Sequence, residues 1–183
     1  MSAFDVPLNE LRAILGKVDE TSIDKACALL VKAHKTAVCG CGREALQMKG
    51  LAMRMFHLGL PVSVVGDMTA TALGAGDLLF ASSGPGETST VISLMRTARA
   101  AGATALLITA QSTGTAATFA DHIILIPAQT MADDQRDKRS SFLPMGSLFE
   151  GAMFLLFEIL VLRLKTVLNV SHEAMRARHT NLE

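Results

Sequence analysis

Two short runs of glycine and hydroxyl residues are the places where this sequence is equipped to hold an anion. The first is Gly40-Cys41-Gly42-Arg43-Glu44 and the second is Ser83-Gly84-Pro85-Gly86-Glu87-Thr88-Ser89. Glycine lets the backbone come close to a ligand. Ser and Thr hydroxyls, with the free N–H groups of a starting helix, donate hydrogen bonds to negative oxygen. Taken alone, either run reads best as a tight strand-to-helix turn with an N-cap. Their joint occurrence favours a phosphate cradle, with Gly42, Arg43, Ser83, Gly84, Gly86, Glu87 and Thr88 as its binding candidates. Gly40-x-Gly42-x-x-Ala45 also has the spacing of a dinucleotide fingerprint, and Asp67 lies near the distance of a ribose-binding acid. That reading ranks second, because it gives no reason for the second run.

Loops of this kind do their work beyond the carboxyl ends of parallel strands. The sequence supplies such strands as short, continuous apolar runs at 36–40, 62–66, 78–82, 105–109 and 123–127, with helical patterns at 44–58, 87–101 and 147–168. Continuous rather than alternating apolar character marks strands buried on both faces. The expectation is therefore an α/β fold: a doubly wound, five-stranded parallel sheet of flavodoxin-like type with helices on each side. A helical preface occupies 1–34. Its first helix, 7–18, carries an apolar stripe of Leu8, Leu11, Ile14, Leu15 and Val18, and its second, 22–34, opens on a Thr21-x-x-Asp24 capping signal. The α/β core runs over 35–170 and a polar tail over 171–183, all in one domain. Between 128 and 142 the chain turns polar, with Asp133, Asp134, Arg136, Asp137, Lys138 and Arg139, and reads as an exposed loop without a specific role.

Composition narrows the function classes. Half of the 183 residues are hydrophobic but only 4% are aromatic, so the core is built from aliphatic residues and Met, as in helices packed on a buried sheet. Seventeen basic residues balance seventeen acidic ones, which leaves no field to attract nucleic acid or an anionic membrane. A small, locally bound molecule is the expected partner, and no cofactor is called for. Cys27, Cys39 and Cys41 make an odd number without a secretory framework, which points to a reducing cytoplasm. Cys39-x-Cys41 reads as two small core residues rather than metal ligands, since no His or further Cys lies at a ligand-like spacing nearby. The longest apolar stretch, 149–162, is interrupted by Glu150 and Glu158 and falls short of the roughly 20 residues that span a bilayer.

Further segments extend the pattern. Gly42-Arg43, Ala52-Met53-Arg54, His57-Leu58-Gly59, Val64-Val65-Gly66 and Gly76-Asp77-Leu78-Leu79 precede the second loop. Pro144-Met145-Gly146-Ser147-Leu148-Phe149-Glu150 and the closing Arg178-His179-Thr180-Asn181-Leu182-Glu183 follow it. In this order the segments resemble those of the sugar isomerase (SIS) domain family, and within it the 6-phospho-3-hexuloisomerases. The Met-Gly-Ser-Leu-Phe-Glu segment and the terminal His-x-Asn-Leu-Glu are the most discriminating.

The resemblance implies an isomerase that interconverts 3-hexulose 6-phosphate and fructose 6-phosphate through an enediol, acting as a homotetramer with sites between subunits. It implies Glu150 as the base. Among Leu148, Phe149 and Phe154 that carboxylate is expected to lie in an apolar setting. Without the resemblance, Glu150 reads as a first-turn glutamate facing the helix dipole. His179 is implied as a second acid/base, reached by a tail that folds back or enters a neighbouring subunit; His57 and His122 read as structural. Glu44 and Pro85 stand where the family commonly has Ser. Proline removes a hydroxyl and a backbone donor, and Glu44 puts negative charge beside the phosphate, so weakened or redirected binding is expected. An isomerase of another sugar and a noncatalytic sugar-phosphate sensor are the alternatives. The preface helices and the apolar surfaces of Ala52, Met53, Met55, Phe56 and 154–162 are expected to exceed what one small sheet covers and to drive assembly into a dimer or tetramer.

Overall fold

A computed structural model describes residues 2–134 and 139–182. Five parallel strands, β1 (Thr36–Cys39), β2 (Val62–Val64), β3 (Leu78–Ser82), β4 (Thr104–Thr109) and β5 (His122–Leu125), form one sheet in the order β2-β1-β3-β4-β5. Thr36 pairs with Val62 on one side and Leu78 on the other, Leu78 pairs with Thr104, and Leu106 pairs with His122. This is the doubly wound α/β architecture expected from the apolar runs.

The continuity of those runs has a direct cause, because successive side chains enter different cores. Val38, Phe80, Leu106, Ile108 and Ile124 face one side, where they meet α2 (Glu20–Lys32), α3 (Gly42–Leu58) and α5 (Ser147–Val167). Ala37, Cys39, Leu79, Ala81, Ala105 and Leu107 face the other, against α4 (Ser89–Ala100) and a short 3-10 turn, Thr115–Phe119. The first core is thick and holds rings such as Phe80 and Phe157, packed edge to face with centroids 6.1 Å apart. The second, lined largely by Ala and Cys from the strands, lets α4 lie close.

The preface differs in detail from expectation. Helix α1 (Asp5–Leu15) buries no residue completely. Leu11, Ile14 and Leu15 pack partly against the main core while Leu8 stays exposed, and Leu11 approaches α5 where Gly151 offers no side chain. Helix α2 is capped by Asp19, which accepts from Thr21 N at 2.9 Å, so Thr21 lies inside the helix rather than at its cap. His122 is structural: its Nε2 lies 2.7 Å from Ser22 O and ties β5 to α2.

Two further corrections concern segments expected to be irregular. The tail contains a helix, α6 (His172–Ala177), whose cap Ser171 accepts from Ala174 N at 3.1 Å. The described ends of the polar loop are fastened together: Gln129 Oε1 accepts from Ser140 N and Ser141 N at 2.7 and 2.9 Å, and Ser141 Oγ donates to Glu10 at 2.7 Å. Arg136, Asp137 and Lys138 of that loop, and Glu183 of the terminal motif, lie outside the described residues. Among the described residues no helix is long and apolar enough to cross a membrane.

Candidate active site

The carboxyl edge of the sheet opens into a cleft of about 770 Å³. Its walls include the β1–α3 turn with Gly42, Arg43 and Glu44; the β3–α4 loop with Pro85 and Thr88; and the start of α5 with Gly146, Phe149 and Glu150. Gly42 has a φ of 58°, a left-handed conformation that costs a residue with a side chain about 1–2 kcal/mol, and this turn brings Arg43 and Glu44 to the mouth of the cleft.

Arg43 and Glu150 meet there as a two-pronged ion pair. Arg43 Nε donates to Glu150 Oε1 at 3.1 Å, and Nη2 lies 2.6 Å from Oε2. Nη2 also donates to Ser147 Oγ at 3.1 Å, which anchors the guanidinium to the first turn of α5. The Glu150 side chain is 16% exposed and the Arg43 side chain 52%. The setting of Glu150 is therefore a charged hydrogen-bonded pair, not the apolar one expected from its neighbours. Leu148 and Phe149 turn into the core and Phe154 faces outward. Such a carboxylate is held in one orientation at the wall of the cleft.

Glu44 is turned inward. Its carboxylate accepts from Gly84 N at 3.1 and 3.0 Å and from the Ser82 hydroxyl. Burial pushes its pKa up, its hydrogen bonds with Ser82 and Gly84 oppose the shift, and the nearby Glu150 charge adds to it. Among the described residues one arginine and two glutamates line the cleft, so these side chains bring it no surplus positive charge.

The remaining candidates divide. Gly42, Arg43, Thr88 and Glu150 share the cleft. Ser83 is fully buried and donates through Oγ to Thr88 Oγ1 at 2.9 Å, so it holds the Thr88 hydroxyl in place from behind. Gly84 and Gly86 form the loop floor, and Gly86, at φ 72°, lies against Gly114 so closely that a Cβ would come within 3.1 Å of it. Glu87 stays out of the cleft; α4 begins two residues later, and its carboxylate accepts from Thr115 N at 2.7 Å. His179 is at the far end of α3. Its ring stacks on His57 with centroids 5.3 Å apart, and its Nδ1 lies 3.0 Å from Thr180 O. His57 lies fourteen positions beyond Arg43 in α3, a rise of about 21 Å, so this chain's His179 is remote from its own Glu150.

Thr130, Met131 and Ala132 also line the cleft, although the sequence reading gave their loop no role. The available signal was position: the segment leaves the carboxyl end of β5, the edge at which such sheets bind ligands.

A model of the SIS domain matches residues 29–143. The chain belongs to the SIS domain family. Among SIS relatives, 3-hexulose-6-phosphate isomerase of Mycobacterium gastri is 35% identical, over 96% of this chain and 87% of the relative. The enzyme of the same name from Bacillus subtilis is 30% identical, over 96% and 95%. The crystal structure of a hypothetical protein from Methanococcus jannaschii, described as inferring 3-hexulose-6-phosphate isomerase function, superposes with a TM-score of 0.86 at 26% identity and full coverage of both chains.

Proposed function

We propose that the protein is an isomerase that interconverts 3-hexulose 6-phosphate and fructose 6-phosphate through an enediol, with Glu150 as the base. The observation that carries this is the Arg43–Glu150 pair at the edge of the cleft. The names of the relatives support the substrate class. The reaction moves a carbonyl by one carbon. Glu150 removes the proton from the carbon beside the carbonyl, one proton passes between the two oxygens, and the carboxyl returns its proton to the former carbonyl carbon. Hydrogen count and oxidation state of the sugar are unchanged, so the step needs no external oxidant or reductant. In this reading Arg43 holds Glu150 in line and lends its charge to the enediolate oxygens.

A role for His179 as second acid/base requires another copy of the chain, since its own cleft is remote. Exposed apolar residues on two adjoining helices support association: Met53 and Phe56 on α3, and Phe154, Ile159 and Leu162 on α5. Ala52 and Met55, expected in the same surface, belong to the core instead. The reading is a homotetramer in the cytoplasm, where the three free cysteines stay reduced.

Purified protein given 3-hexulose 6-phosphate is expected to form fructose 6-phosphate, and Glu150→Gln to lower turnover by about 100-fold or more. Absence of turnover in the wild type, or turnover untouched by the substitution, overturns the reading.

A further inference from the structure

A loop that cradles an anion must have donors to offer, and several backbone donors of the β3–α4 loop are already engaged, while the Thr88 hydroxyl accepts from Ser83 Oγ and faces the cleft. Ser83 N donates to Ile108 O at 3.1 Å, Gly86 N to Ser83 O at 3.0 Å, and Thr88 N to Ser83 Oγ at 3.4 Å. Position 85 is proline and has no N–H. Gly84 N is the donor that meets a group lining the cleft, and that group is Glu44, whose two carboxylate oxygens lie 3.1 and 3.0 Å away. The Ser82 hydroxyl donates to the same carboxylate. A backbone N–H and a serine hydroxyl converging on anionic oxygens is the arrangement that a phosphoryl group would use.

The fit around this carboxylate is close. A Cβ at Gly84 would stand 3.0 Å from Glu44 Oε1 and 3.2 Å from the Phe149 ring. Among the described residues lining the cleft, the one cation, Arg43, is already paired with Glu150. A phosphoryl group arriving at Gly84 therefore meets an occupied donor and a like charge.

We propose that the Glu44 carboxylate is an intramolecular occupant of the anion cradle, and that a phosphorylated sugar seats its phosphoryl group on Gly84 only by displacing it. Glu44 is then a specificity-determining residue: it handicaps phosphate esters relative to unphosphorylated sugars. The proposal rests on the reading of this cleft as a sugar-phosphate site, but its test does not depend on turnover.

Binding of inorganic phosphate, fructose 6-phosphate and fructose is measured by titration calorimetry for the wild type, Glu44→Ser and Glu44→Gln. The serine variant vacates the donor and is expected to bind both phosphate species about tenfold or more tightly than wild type, with fructose unchanged. The glutamine variant removes the charge but keeps an acceptor on Gly84 N, and is expected to gain less than serine. Amide NMR of the wild type gives a reading independent of any variant: the Gly84 N–H resonance is expected to move when phosphate saturates the site. Unchanged or weaker phosphate binding in a folded Glu44→Ser protein overturns the proposal. So does phosphate saturation of the wild type that leaves the Gly84 amide where it was. A wild type without isomerase turnover, alongside a serine variant that gains phosphate affinity, sinks the proposed activity and leaves this inference standing.

Discussion

The two ends of α3 carry similar polar residues to opposite effect. At its first turn Arg43 and Glu44 reach a cleft, one paired with Glu150 and the other with Gly84 and Ser82. At its last turn His57 is buried beneath His179, and Arg178 donates to His57 O at 3.1 Å. The backbone explains the asymmetry. A helix start leaves N–H groups without partners and sits, in this sheet, at the carboxyl edge of the strands, where ligands have access. A helix end leaves carbonyls, and Arg178 satisfies one of them while placing positive charge at the negative pole. Polar side chains at the first end are therefore available to a ligand, whereas those at the second fasten the tail to the body.

That contrast breaks most visibly if the two ends cooperate across subunits. Glu150→Gln is expected to have the largest effect, the 100-fold or greater loss of turnover already described. His179→Ala is expected to lower turnover by about 10-fold to 100-fold if a neighbouring chain supplies the second acid/base. The two variants then complement each other. Co-refolded at equal amounts they form some sites with both groups intact, about a quarter of them for random mixing of a two-chain site. Recovery of turnover on mixing supports the shared site. Two inactive variants that stay inactive together confine both roles to one chain or remove His179 from the chemistry.

Much of this arrangement was legible in the residues because it depends on local spacing. The apolar runs disclosed the strands, and the Gly/Ser/Thr runs disclosed the turns at the carboxyl edge, since each depends on what a few consecutive residues can do. Contacts between distant segments were not legible in the same way. Glu44 finds Gly84 forty residues along the chain, and no local pattern says which donor a carboxylate will meet. Glu150 was expected among apolar neighbours because its sequence neighbours are apolar, yet helical geometry turns Leu148 and Phe149 inward and leaves Glu150 to face Arg43 from α3. Helix α6 was missed for a smaller reason: Ser171 is a good cap, but six residues of helix lie below what periodicity can reveal.

Gly59→Ala sharpens the contrast on the tail side. Gly59 terminates α3 at φ 88° and donates to Phe56 O at 2.8 Å, and a Cβ there would stand 3.0 Å from the Arg178 guanidinium. Left-handed strain and displaced Arg178 together are expected to cost about 1–2 kcal/mol in denaturant unfolding. Hydrogen exchange of residues 178–182 is expected to accelerate more than that of the β1–α3 turn. Gly42→Ala has the same backbone strain but open space around the new Cβ, so it is expected to leave the tail untouched. Equal loosening of the tail by both variants would mean that Arg178 does not hold it.

The smallest effect concerns the charge held at the first end. Burial keeps the Glu44 pKa above its ordinary value, with Glu150 on α5 adding to the shift and Ser82 and Gly84 opposing it. The folded chain thus binds more protons than the unfolded one as pH rises from the ordinary glutamate value, about 4.3, to the raised folded value. Stability falls through that window and levels off above it. Glu44→Gln does not titrate and retains an acceptor for Gly84 N. Its Tm is expected to pull ahead of wild type as pH climbs through the window and then to keep a constant lead of no more than about 4 °C, the size of a 1 kcal/mol change in a domain of this length. A lead that instead shrinks with rising pH would show that the ionised carboxylate stabilises the fold, with the hydrogen bonds from Gly84 and Ser82 outweighing desolvation and the repulsion from Glu150.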